Sequence, residues 1–97
     1  MRAAQHRKEL VAIVVAWLRK EFPGFEVESS TDGESGSEYF RIASAKLFRR
    51  LTLTRQSLRD CNTAPGVKLL NKALRELEAL PDGRGLVLYP DGRIERE

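Results

Sequence analysis

One cysteine, one histidine, one tryptophan and one methionine are all that this chain of 97 residues holds of those four types, and the scarcity closes off much chemistry. Cys61 has no second thiol in the chain, so an intramolecular disulfide is excluded and a reducing, cytoplasmic location is expected. One cysteine and one histidine cannot supply the four ligands of a structural zinc site. A thiol nucleophile needs a base within reach. His6, beside Arg7 and Lys8 near the N-terminus, reads as a solvated helix residue, and Cys61 as a small buried or half-buried thiol. The longest apolar run, Leu10 to Leu18, is too short to span a bilayer, and Trp17, Arg19, Lys20 and Glu21 stand where a signal peptide would carry small residues. No membrane association is expected.

Other motifs are missing as well. No glycine-rich loop opens a helix with a lysine, so there is no phosphate cradle of the nucleotide-binding kind. Asp32, Glu34 and Glu38 with Gly33 and Gly36 lack the alternate-position order of a calcium loop and read as a solvated hairpin tip. Glu26 and Glu28 share one side of a strand and read as its wet face rather than as an acid–base pair. Neither enzymatic activity nor a cofactor nor a metal is expected.

What is present suits one small domain spanning residues 1–97, with 41% hydrophobic and 32% charged residues, enough apolar content for a core. The net charge of +3 is distributed in blocks. Residues 21–40 hold six acidic side chains and no basic one, whereas residues 41–75 hold nine basic side chains against Asp60 alone. Such asymmetry bears on partners rather than on fold.

Apolar residues at three- and four-residue steps (Leu10, Val14, Trp17, Leu18) predict a helix over 4–22, stopped by Phe22-Pro23-Gly24. Alternation predicts strands over 25–30 and 38–43, joined by the turn residues Thr31 to Gly36. "LTLT" alternates with period two, and Thr54 after it is a helix N-cap with Leu53 and Leu58 as a hydrophobic staple. A strand over 47–53 and a short helix over 55–61 follow. Arg49 then shares a face with Leu47, Leu51 and Leu53, which places it at a sheet margin or requires a bulge. Thr63 caps a long helix over 65–80 whose Leu70, Ala73, Leu74 and Leu77 form one face. "GLVLY" (85–89) and residues 93–96 form a terminal hairpin across Pro90-Asp91-Gly92. The expected fold is an α+β two-layer sandwich: N-terminal helix, three-stranded antiparallel meander, short helix, long helix and C-terminal β-hairpin.

The basic segment is the one feature above background. Lys68, Lys72 and Arg75 stand at i, i+4 and i+7 and line one helix face; Arg55 and Arg59 do the same on the short helix, and Arg50 faces out from its strand. These six are the expected binding residues of a small non-enzymatic protein that docks a macromolecular partner. The partner is an acidic protein surface or, alternatively, RNA or DNA held by counterion release. Glu26, Glu28 or Glu38 is placed to neutralise Arg41, Arg49 or Arg50 across the ladder. Tyr39 and Phe48 are the only aromatic residues expected on the open sheet face, too few for a base-stacking platform. The last strand offers an unpaired edge for a homodimer.

The helix–three-strand–helix order resembles the double-stranded-RNA-binding domain, and "APGVKLLNKALREL", Ala64 to Leu77, is similar to that family's second helix. In that family, lysines at the start of this helix grip phosphates, and Lys68 and Lys72 are the matching positions. The resemblance covers topology: the family's clustered lysine pair and its first-helix and loop signature are missing here, and a terminal hairpin is added.

Overall fold

The computed structural model describes the backbone of residues 2–97 and the side chains of residues 6–97. Its elements are α1 (Arg2–Glu21), β1 (Glu26–Thr31), β2 (Glu38–Ala43), β3 (Phe48–Leu53), α2 (Arg55–Arg59), α3 (Ala64–Glu78), β4 (Arg84–Leu88) and β5 (Ile94–Arg96). The α+β layout expected from the sequence is present, with every boundary within two residues of its expected place. Among the described residues no helix is long and apolar enough to cross a membrane.

All five strands lie in one sheet in the order β1-β2-β3-β4-β5. Every pairing is antiparallel except β3 with β4, which is parallel. A parallel return cannot be made by a tight turn and needs a crossover; α2 and α3 are that crossover. The register aligns side chains into rows. Val27, Ile42, Arg49 and Arg84 form one row, Ser29, Phe40, Leu51 and Leu86 the next, and Thr31, Glu38, Leu53, Leu88 and Ile94 the third. These rows face the helices. Phe40, Ile42, Leu51, Leu53 and Leu86 are sealed against Leu10, Val14 and Leu18 of α1, Leu58 of α2 and Leu77 of α3 in one core, so the helices form one layer and the sheet the other.

Local chemistry sets the helix ends. Thr54 accepts a hydrogen bond from the Ser57 N–H (3.2 Å) and Thr63 accepts one from the Gly66 N–H (3.1 Å), each satisfying a donor left over at a helix start. Leu53 and Leu58 are both buried, as the staple requires. The Ser57 hydroxyl donates to the Leu88 carbonyl at 2.9 Å, tying α2 to β4. Arg49 sits at the margin of an unbulged ladder, where its Nε donates to the Leu80 carbonyl at 3.0 Å, just past the end of α3 where a cation is favoured.

Of the acidic residues at the first hairpin, Asp32 keeps the solvated place expected of it and Glu38 does not. Asp32 is satisfied within its own turn. It accepts from the Ser35 hydroxyl (2.6 Å) and the Glu34 N–H (3.2 Å), and these bonds, the Ser35 one first, hold its carboxyl below the usual range. Glu38 is not solvated at all: it is 2% exposed, because the row alternation turns it toward α1. There Arg7 reaches it at 2.9 Å and the Thr31 hydroxyl donates to it at 2.6 Å.

The remaining buried polar side chain is less well served. Thr52 lies in the middle of β3 on the side away from the helices, packed between Tyr39 and Val87 in the register, and among the described residues its hydroxyl has no partner. Thr52→Val is expected to raise stability by about 1 kcal/mol, since it removes a desolvated group without leaving a cavity. Urea denaturation would check this, and a loss of stability would contradict it.

Candidate interaction surfaces

The sheet separates the six basic residues expected to bind a partner. Arg55 and Arg59 on α2 and Lys68, Lys72 and Arg75 on α3 are all exposed on the helical layer. The α3 set lies opposite the buried Leu70, Ala73, Leu74 and Leu77. Arg50 is exposed too, but alternation along β3 turns it to the opposite, helix-free side of the sheet. One continuous patch of all six is therefore not formed.

Carboxylate partners divide the same way. Arg50 meets Glu97 at 3.3 Å, Arg41 meets Glu28 at 3.8 Å, Arg93 meets Glu95 at 4.0 Å and Arg96 meets Glu76 at 3.7 Å. Among the described residues no ion pair forms to Arg55, Arg59, Lys68, Lys72 or Arg75. The Arg55 guanidinium instead lies over Gly36 in the β1–β2 turn. The cross-strand neutralisation expected of the first hairpin is met by Glu28 on Arg41, while Glu38 serves Arg7. At the start of α3, Val67 is 46% exposed next to Lys68. Ala64, Pro65, Val67, Lys68 and Asn71 line a shallow depression of about 580 Å3 there.

The helix-free face carries its own pattern. One row reads Glu28, Arg41, Arg50, Gly85 across β1 to β4. Gly85 has no side chain, and the Glu97 carboxylate occupies the space where a Cβ would project, which lets it reach Arg50. The charges therefore run negative, positive, positive, negative across the sheet. Tyr39 stands two residues to one side of the arginine pair and Phe48 two residues to the other. The Arg41 guanidinium lies 4.9 Å from the Phe48 ring centre and that of Arg50 lies 5.8 Å from Tyr39. Glu28, Ser30, Tyr39, Arg41, Phe48 and Arg50 line a depression of about 700 Å3. A third aromatic residue, missed in the sequence because "GLVLY" reads as a plain apolar strand, extends this face. Tyr89 lies under Arg93 at 4.2 Å and donates its hydroxyl to Glu95 at 2.8 Å, a bond that raises its phenol above the ordinary value.

The thiol is placed for packing. Cys61 is 2% exposed, and burial raises its pKa, so it stays protonated at neutral pH and makes a poor nucleophile. Its contribution to stability is fully present below the ordinary thiol value. It is lost as pH rises toward the raised one, because the unfolded chain then gains a thiolate that the core refuses. Among the described residues no cluster of three or more histidine, cysteine, aspartate or glutamate side chains could hold a metal ion. No family model matches this sequence, and neither a curated protein nor a solved structure matches it.

Proposed function

We propose that the protein is a small non-catalytic binding module of the cytoplasm that docks an acidic protein surface through the exposed face of α2 and α3. The observation that carries this reading is the set of five exposed cations, Arg55, Arg59, Lys68, Lys72 and Arg75, without carboxylate partners among the described residues. Cations of this kind steer an acidic partner into place and fix its register. A protein is favoured over nucleic acid as the partner of this face because Lys68 borders the exposed Val67 and the apolar depression beside it, an apolar centre with a charged rim. The buried, protonated Cys61 supports the non-catalytic half of the reading. Self-association through a free sheet edge belongs to the same reading: β1 is an unpaired edge of six residues, β5 one of three.

Affinity capture from the native host, with and without nuclease, tests the docking face. A nuclease-resistant protein partner is expected, and Lys68→Glu/Lys72→Glu should weaken its binding at least about tenfold. Retention of the partner by that variant at unchanged affinity would refute the basic-face mechanism. Light scattering at several concentrations would show whether the edges pair.

A further inference from the structure

We propose that the helix-free face of the sheet binds single-stranded nucleic acid, with successive backbone phosphates held by Arg41 and Arg50 and bases stacked at Tyr39 and Phe48. This site shares no residue with the α2–α3 face and does not rest on it.

Four observations converge. Arg41 and Arg50 are direct partners in the β2–β3 register, and like charges placed opposite one another destabilise a ladder. Anions bound at the pair relieve that repulsion. Their present carboxylates approach only from the flanks, at 3.8 and 3.3 Å, and all four side chains remain at least a third exposed. The guanidiniums lean apart, Arg41 toward Phe48 and Arg50 toward Tyr39, so each can hold its own phosphodiester of one strand through the planar fork for which arginine is suited.

The rings supply the second half of a nucleotide's chemistry. Tyr39 and Phe48 flank the arginine pair at two-residue steps, roughly 7 Å along the strands. Each already lies beneath a guanidinium. Bases stack on aromatic rings and on arginine planes alike, with little regard to sequence. Tyr89 under Arg93 repeats the unit farther across the face, so a strand leaving the first site meets a second platform. The basic character of the chain, pI about 9.4, draws a polyanion toward it.

The surrounding charges select the form of the ligand. Glu28 on one side and Glu97 on the other frame the arginines, so the room for backbone phosphates is one strand wide and a duplex would set its second strand against carboxylates. An acidic peptide would give the arginines only what Glu28 and Glu97 already provide, and would leave the rings without flat partners.

Fluorescence anisotropy with a labelled ten-residue oligouridylate is the test. Micromolar binding is expected at low salt, with log affinity falling against log salt at a slope of about −1.4, the value for two phosphate contacts on a single strand. Arg41→Ala/Arg50→Ala should weaken binding at least about tenfold, and Tyr39→Leu/Phe48→Leu about tenfold. Glu28→Gln should tighten it. Amide shift mapping on the unaltered protein should place the largest changes on β2 and β3, which frees the result from any variant's folding. Absence of binding, shifts confined to the helices, or unchanged affinity in the arginine variant would overturn the proposal. So would equal affinity for a duplex or for oligoglutamate.

Discussion

Arg7→Met is expected to destabilise the protein by about 3 kcal/mol, lowering its melting temperature by roughly 15 °C for a domain of this size. The reason is the carboxylate it leaves behind. Glu38 has a side chain only 3% exposed, and without Arg7 its one remaining hydrogen-bond partner among the described residues is the Thr31 hydroxyl. A buried charge stripped of its counter-charge carries most of its desolvation penalty uncompensated. Arg7 also donates to the Gly36 carbonyl at 2.7 Å, so the same substitution unties α1 from the β1–β2 turn. Two companions make the result diagnostic. Arg7→Met/Glu38→Leu should recover most of the loss, because a packed apolar pair replaces a buried ion pair at little cost. Arg41→Met, which breaks the exposed pair with Glu28, should cost less than about 1 kcal/mol. Thermal and urea unfolding would read all three. A loss below about 1 kcal/mol for Arg7→Met would mean that Glu38 finds solvent by a small movement of the hairpin.

Gly66→Ala is expected to destabilise by about 3 kcal/mol, although helix propensity alone would make it favourable by up to about 1 kcal/mol. Gly66 lies in the first turn of α3, where alanine is ordinarily the better residue. In this fold an added methyl would overlap the carbonyl oxygen of Asp60 and press on the Thr63 hydroxyl. That carbonyl cannot swing aside freely. It accepts from the Thr63 N–H at 2.9 Å and from the Thr63 hydroxyl at 2.7 Å, and the same hydroxyl caps Gly66. The glycine is what allows α3 to start so close against the end of α2. A stabilised Gly66→Ala variant in chemical denaturation would refute this account. Asn71→Ala, exposed farther along the same helix, serves as the control, with a change within about 0.5 kcal/mol.

Most of the secondary structure was legible because it is written in local signals. The "LTLT" alternation placed β3, and Thr54 with Leu53 and Leu58 placed the start of α2, each through interactions between residues a few positions apart. The Tyr39 and Phe48 positions on the open face followed from the same alternation. Glu38 shows where this reasoning stops. Its strand phase, shared with Phe40 and Ile42, already pointed it toward the core, but a carboxylate beside a glycine-rich turn reads as solvated until its cation is found. That cation, Arg7, is 31 residues away in the chain. Gly66 is similar: "NTAPG" marks a loop into a helix, while the need for a missing side chain arises only from the approach of Asp60.

The candidate surfaces divide along the same line. The lysine spacing on α3 and the Arg55–Arg59 spacing on α2 were visible as helix faces, because helical periodicity fixes what stands opposite the leucines. Alternation also turned Arg50 out from its strand, toward the open face with Tyr39 and Phe48; that this face lies across the sheet from the helix lysines, so that no single patch forms, was not visible.

By itself, then, the order of amino acids determined the element types, their caps and which side of each element is apolar, since these rest on contacts within one or two turns of chain. Only the tertiary structure decided that β3 and β4 run parallel, and that Glu28, Arg41, Arg50 and Glu97 fall in line across the sheet. Those outcomes depend on register and layer choice, which are set by packing the whole core at once and leave no mark in any single segment.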